Sequence, residues 1–152
     1  MLAKTVGCLA LVVLFLSCKK EPTVVPPQMI EAGPGENIKP MIAEARRKAE
    51  SESVVLMVYV SATWCAPCQE FQASLQSGAL NNVLPNLRFL KFDAQKDGER
   101  IDRAGYSSDF VPYIVIPNAD GSPSSKRIEG AVVKGKSGTQ AVVEKLHALL
   151  SS

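Results

Sequence analysis

Apolar side chains follow helical spacing in several parts of the chain. From residue 38 to residue 49 they lie three or four positions apart, with charged residues between them, which predicts an amphipathic helix that begins after Asn37. A second helix is expected from residue 65 to about residue 77, and a short polar one over residues 98–104. The closing helix begins after Ser137, whose Ser-Gly-Thr-Gln sequence resembles a capping box.

Strands are predicted between these helices. Residues 54–60 are apolar on both faces, which is typical of a strand in the middle of a sheet that is covered on both sides. Further strands are predicted over residues 88–93 and 112–116. Residues 125–130 follow an Asn-Ala-Asp-Gly turn, so we expect them to return antiparallel. The order of these elements predicts a mixed sheet with helices on both faces.

The N-terminal part of the chain has a different composition. Lys4 precedes an uncharged apolar run over residues 9–16, which is shorter than a membrane-spanning helix and is typical of a secretory signal. We therefore expect residues 1–17 to be a signal peptide. Residues 18–36 contain several prolines and glycines and predict a semi-extended tether, which leaves residues 37–152 as one folded domain.

The end of the predicted signal has a second feature. Phe15-Leu16-Ser17-Cys18 resembles a bacterial lipoprotein processing box, in which the cysteine is acylated and becomes the first mature residue, although Phe15 stands where leucine is usual. This resemblance implies an exported protein that a lipid on Cys18 anchors to a bacterial membrane, facing the periplasm or the cell exterior. The alternatives are a plain cleaved signal, in which Cys18 is incidental, and an uncleaved anchor.

Charge and cysteine count exclude several classes of function. The formal net charge is +2 and the basic residues are scattered, so nucleic acid is not expected as a partner. If Cys8 is removed with the signal and Cys18 is acylated, Cys65 and Cys68 are the only free cysteines, too few for a structural disulfide framework. Structural zinc usually has four Cys or His ligands. The mature chain adds only a distant His147, so we expect no metal or other cofactor.

The two remaining cysteines lie in the sequence Trp64-Cys65-Ala66-Pro67-Cys68, directly after the apolar strand. With two residues between them, the thiols are close enough to form a small disulfide ring. Cys65 is expected at a helix N-terminus, where unpaired amides and the helix dipole stabilise a thiolate. A thiolate is the species that attacks other disulfides, so this spacing indicates thiol–disulfide exchange.

Over residues 37–150 the chain resembles thioredoxin-fold proteins. Three features are similar: the Trp-Cys-Ala-Pro-Cys turn after a buried strand, Val111-Pro112 at the start of the third strand, and the closing hairpin and helix. Residues 59–71 are similar to the periplasmic thioredoxin-like domains of transmembrane disulfide reductases and to membrane-tethered thioredoxin-like lipoproteins. The resemblance implies an α/β thioredoxin fold, with a central mixed sheet of four to five strands flanked by helices on both faces.

The resemblance also implies a role for each site residue. Cys65 is expected to be the more exposed, attacking thiolate, and Cys68 the shielded thiol that resolves the mixed disulfide. Pro112 is expected to be cis and to lie beside the cysteines, where it exposes the backbone of Val111 to an incoming peptide and keeps a metal from sharing the thiols. Trp64 is either a lid and part of the docking surface or a packing aromatic at the end of the strand.

Two positions depart from the thioredoxin pattern. Tyr59 stands where thioredoxins have a buried Asp that is thought to help move the proton of the second cysteine, and Phe89 corresponds to a lysine often found near that Asp. We expect Tyr59 to be a core residue with one hydrogen bond. Transfer of the Cys68 proton is then expected to use water or another group, such as Glu70 or Asp93.

These observations predict an exported, monomeric thiol–disulfide oxidoreductase that exchanges protein disulfides and dithiols through Cys65 and Cys68. No histidine separates the cysteines, which favours a reductant or electron relay over a strong oxidant. A transmembrane disulfide reductase is the electron partner that the resemblance implies. The alternatives are a disulfide oxidase or isomerase, and a thioredoxin-fold binding module that uses the groove around Trp64 and Pro112 without redox turnover.

Overall fold

The computed structural model describes residues 24–152, so the predicted signal peptide and Cys18 lie outside the described residues. The elements are β1 (Gln28–Glu31), α1 (Ile38–Ser51), β2 (Val55–Ser61), α2 (Ala66–Gln76), β3 (Leu87–Asp93), α3 (Gly98–Arg103), β4 (Tyr113–Pro117), β5 (Pro123–Glu129) and α4 (Gly138–Leu150). Every helix and strand predicted from the sequence is present, with ends that differ by one or two residues. Within residues 24–152, no helix has the length and hydropathy needed to cross a bilayer.

The five strands form one mixed sheet in the order β1-β3-β2-β4-β5. β1 and β2 both run parallel to β3, whereas β4 is antiparallel to β2 and β5 is antiparallel to β4. Helices α1 and α3 pack on one face of this sheet, and α2 and α4 pack on the other. This arrangement is the thioredoxin fold, so the predicted fold class is confirmed.

Residues 55–60 of strand β2 are all apolar because the strand contributes to two hydrophobic cores. Met57 and Tyr59 face α2 and α4, while Leu56, Val58 and Val60 face α1 and α3, and all five are at most 4% exposed. Alternate residues of a strand point to opposite faces of the sheet, so a central strand that is covered on both sides needs an apolar residue at every position.

The sheet begins earlier in the chain than the sequence analysis expected. Residues 18–36 were predicted to be a tether, but β1 lies within them and pairs with β3 at the edge of the sheet. The side chains of β1 are mostly exposed, so the strand has no apolar alternation that a sequence pattern could detect. Polar contacts support its pairing, since the Arg88 guanidinium donates to Gln28 at 2.9 Å and Lys91 pairs with Glu31 at 3.0 Å.

Candidate active site

Cys65 occupies the N-cap position of α2, directly after the turn that follows β2. Its backbone is extended (φ −83°, ψ 97°), and its sulfur accepts the N–H of Cys68 at 3.3 Å. Pro67 lies in the first turn of the helix, where a missing N–H leaves no hydrogen bond unmade. The reduced sulfur of Cys65 would therefore meet a backbone donor and the positive end of the helix dipole, and both stabilise a thiolate.

The two cysteines are joined by a disulfide, with their Cα atoms 5.2 Å apart. Cys65 is 3% exposed and Cys68 is fully buried. The sequence analysis expected Cys65 to be the more exposed cysteine. Cys65 is the more exposed of the two, as expected, but the difference in exposure is small. A partner must bring its own sulfur up to an atom that is almost covered, so exchange requires a surface on which the partner can dock.

The backbone of Val111 is one part of such a surface. The Val111–Pro112 peptide bond is cis, as the resemblance implied, and Pro112 is buried directly before β4. The side chain of Val111 packs against the hydrophobic cluster that contains both cysteines. Within residues 24–152, no hydrogen bond engages the N–H or the C=O of Val111. Both groups are therefore available to pair with an extended peptide.

Three exposed apolar side chains belong to residues that adjoin this cluster in sequence. Trp64 is 68% exposed, which argues against the alternative that it is a packing aromatic. Phe110, which the sequence analysis did not select, is 62% exposed, and Val132 is 87% exposed. Each of the three is adjacent in sequence to a residue that belongs to the cysteine-containing cluster or packs against it: Cys65, Val111 and Ala131. The available signal for Phe110 was an aromatic residue in a polar loop directly before Val111-Pro112.

Tyr59 is a core residue, as predicted, but its hydroxyl forms two hydrogen bonds and not one. Its hydroxyl donates to the carbonyl of Cys68 at 3.5 Å and accepts from Gln72 at 3.4 Å. Its ring makes edge contacts with Phe71 and Phe89, at centroid distances of 5.9 and 6.2 Å. Burial raises the pKa of Tyr59 to about 12, so the phenol is neutral and is not a base at neutral pH.

The two carboxylates proposed from the sequence to handle the Cys68 proton both accept backbone amides elsewhere. Glu70 accepts the N–H of Gly138 at 2.6 Å, and Asp93 accepts two amides of the turn that follows it, at 2.9 and 3.0 Å. Among the described residues, neither carboxylate forms a hydrogen bond with Cys68.

The first turn of α4 lies directly against the Cys-Ala-Pro-Cys loop. A Cβ atom on Gly138 would be 2.4 Å from the Cα of Pro67, so only glycine fits there without a shift of the backbone. Glu70 fixes this contact by accepting the Gly138 N–H, and the predicted capping box of Ser137 and Gln140 is present. The sequence analysis identified the capping box but missed the contact, because nothing local indicates which element a helix N-terminus packs against.

Among residues 24–152, no three His, Cys, Asp or Glu side chains are grouped so that they could hold an ion. The only histidine, His147, lies on α4 with its Nε2 atom 3.0 Å from the carbonyl of Val83. One ring nitrogen of His147 therefore has a backbone partner.

Comparisons with known proteins gave matches among solved structures, whereas no protein-family model and no curated protein matches the chain. A thioredoxin of Trichomonas vaginalis is 21% identical, with a TM-score of 0.49, over 78% of this chain and 96% of its own. A thioredoxin of Trypanosoma brucei brucei is 18% identical, with a TM-score of 0.48, over 89% and 97% of the two chains. Thioredoxin O2 of Arabidopsis thaliana in its oxidised state is 19% identical, with a TM-score of 0.46, over 81% and 91%.

Proposed function

We propose that this protein is a thiol–disulfide oxidoreductase that acts on protein disulfides and dithiols. The observation that supports it best is the Cys65–Cys68 disulfide, whose first sulfur is the N-cap group of α2. A purely structural disulfide does not need to lie at a helix N-terminus, where an anion is stabilised. The unpaired backbone of Val111 and the exposed side chains of Trp64 and Phe110 add a docking surface for a polypeptide.

The exchange proceeds in two steps. In the reduced protein, the Cys65 thiolate attacks one sulfur of the substrate disulfide, so that a mixed disulfide forms and the other substrate sulfur leaves as a thiolate. Cys68 then loses its proton to water and attacks the Cys65 sulfur, which releases the second substrate thiolate and regenerates the disulfide seen in the structure. Two electrons have passed to the substrate, and a dithiol partner must return them before the next cycle.

The proposal also covers the direction of electron transfer, the location of the protein and its partners. The dipeptide between the cysteines is Ala66-Pro67, so no histidine stabilises the reduced form, and this favours a reductant or electron relay. The sequence resemblances favour export, a lipid anchor on Cys18 and a transmembrane disulfide reductase as the source of electrons. We propose that the anchored protein acts as a monomer.

Reduction of insulin disulfides with dithiothreitol tests the activity. We expect turnover by the wild type and only the uncatalysed rate with Cys65→Ser. Equal turnover by both proteins would contradict the enzyme and favour the binding module. The midpoint potential of the Cys65–Cys68 couple against glutathione tests the direction. A reductant or relay is expected between about −200 and −270 mV, and a value near −120 mV would identify a strong oxidant instead.

A further inference from the structure

The first turn of α4 lies along one face of α2, at the end of α2 that carries the cysteines. Pro67, Glu70 and Ser74 share this face because they are three and four positions apart. Pro67 is in close contact with Gly138, the first residue of α4. The hydroxyl of Ser74 is 3.0 Å from that of Thr139, the second residue. The N-terminus of α4 is therefore packed against the Cys-Ala-Pro-Cys loop.

The carboxylate of Glu70 lies at this junction. Its Oε2 atom accepts the N–H of Gly138 at 2.6 Å. The same Oε2 atom and the Cα of Pro67 lie 3.0 and 2.4 Å from a single point, the position that a Cβ atom on Gly138 would take. The carboxylate is therefore close to the backbone that joins the two cysteines, and Glu70 is the only charged residue of α2.

Other charged side chains are present in the loops around the cysteines, but none is held in this way. They are Asp93, Lys96, Asp97, Asp109, Lys134 and Lys136. Within residues 24–152, none of these side chains forms a hydrogen bond with α2 or with the first turn of α4; Lys136, for example, pairs with Glu144 farther along α4. Glu70 is thus the charged group that the contact between the two helices fixes beside the disulfide.

The charge of Glu70 acts on the reduced protein rather than on the neutral disulfide. Where Cys65 is ionised, two electrons and one proton convert the disulfide to a Cys65 thiolate and a Cys68 thiol, so reduction adds a negative charge near an existing one. Glu70 also offsets part of the positive end of α4 by accepting its first amide, and that end would otherwise stabilise the thiolate. Both effects raise the free energy of the reduced form.

We propose that Glu70 sets the reduction potential of the Cys65–Cys68 couple and makes it more reducing. The inference deepens the proposed function, on which it rests, because it gives a reductant or electron relay a physical cause beyond the absence of a histidine between the cysteines. Glu70 is not a catalytic residue, since its carboxylate contacts Gly138 rather than either sulfur. It acts through the N-terminus of α4 and through its charge.

Equilibration with glutathione at neutral pH tests the proposal with Glu70→Gln, which keeps an acceptor for the Gly138 N–H and removes the charge. Glu70 is exposed, so the expected effect is moderate. The equilibrium constant for reduction of the protein should rise about threefold to fivefold, which makes the midpoint potential less negative by about 14 to 21 mV. Alkylation of reduced Cys65 should reach half its maximal rate at a pH lower by about half a unit.

The matched control is Glu144→Gln, which removes the same charge from an exposed position farther along α4 and should leave the equilibrium constant unchanged. Salt separates the charge from a change of shape, because the Debye length falls from about 10 Å at 0.1 M to about 3 Å at 1 M. The difference between the wild type and Glu70→Gln should shrink over this range. Glu70→Ala, which removes the acceptor as well, should shift the potential in the same direction.

Equal potentials for the wild type and Glu70→Gln, or a more negative potential for the variant, would overturn the role of Glu70. So would a difference that persists unchanged in 1 M salt, or shifts of opposite sign for the two Glu70 variants. A wild-type disulfide that does not exchange with glutathione would overturn the oxidoreductase and this inference together. Insulin reduction by the wild type measures the activity separately, so normal turnover with equal potentials would refute the role of Glu70 alone.

Discussion

The sequence resemblance implies that Tyr59 stands where thioredoxins have a buried carboxylate, and Tyr59→Phe tests whether its hydroxyl takes part in the exchange. The substitution keeps the ring contacts with Phe71 and Phe89 and removes two long hydrogen bonds, of 3.5 and 3.4 Å. We expect a loss of about 1 kcal/mol or less in the free energy of unfolding at neutral pH. Since a phenol with a pKa of about 12 is not a base at neutral pH, the rate of insulin reduction should not change.

The same substitution has an effect of opposite sign in alkaline solution. Burial raises the pKa of Tyr59 from 10.0 to about 12, so between these values the unfolded chain loses the proton while the folded chain keeps it. Stability therefore falls as the pH rises through this range, by roughly 3 kcal/mol once the folded group has ionised. Tyr59→Phe lacks this loss. The wild type should be slightly more stable at neutral pH, and the variant should be more stable near pH 12.

Urea unfolding of the oxidised proteins measures both effects, because disulfide-bonded cysteines do not titrate. The pKa values of Tyr106 and Tyr113 are also raised by burial, so both proteins will lose stability in alkali and only the difference between them reports on Tyr59. Alkaline curves that fall in parallel would show that the pKa of Tyr59 is not raised. A tenfold drop in insulin reduction at neutral pH, about 1.4 kcal/mol in the barrier, would show that the hydroxyl acts in the reaction.

The cysteine pair and the contact between α4 and its loop give two further predictions. Cys68→Ala removes the resolving thiol, so substrates should accumulate as mixed disulfides on Cys65, visible on non-reducing gels and absent when Cys65→Ser is added. Gly138→Ala places a methyl group 2.4 Å from the Cα of Pro67 and should lower the free energy of unfolding by about 1–3 kcal/mol. Gly98→Ala, at the first residue of α3 with open space around it, is the matched control and should be close to neutral. Equal urea midpoints for the two alanine variants would refute the packing argument.

The sequence predicted the sheet except for its first strand. Apolar runs and helical spacing are strong where an element buries a face, as in β2 and α4, and these elements lie within one or two residues of their predicted ends. β1 buries almost nothing, and polar contacts from Arg88 and Lys91 support its pairing with β3. Its surrounding prolines and glycines indicated a tether instead. An exposed edge strand therefore leaves little trace in hydrophobic periodicity.

The features of the site likewise fall into those that the sequence predicted and those that only the structure shows. Cys65, Cys68, Trp64 and the cis bond before Pro112 follow from a local motif or from the family resemblance. The link from Glu70 to the first amide of α4 joins residues that are 68 positions apart, and no local pattern records which amide a carboxylate will meet. Such contacts become visible only once the packing of α4 on α2 is known.

The burial of both sulfurs explains why the surroundings of the disulfide matter as much as the disulfide itself. With 3% of Cys65 exposed, chemical access alone cannot select one partner from another. Selection then depends on the exposed side chains of Trp64, Phe110 and Val132 and on the free backbone of Val111, which together favour an extended polypeptide. Reactivity therefore lies in the Cys-Ala-Pro-Cys turn, and the choice of partner lies in the loops around it.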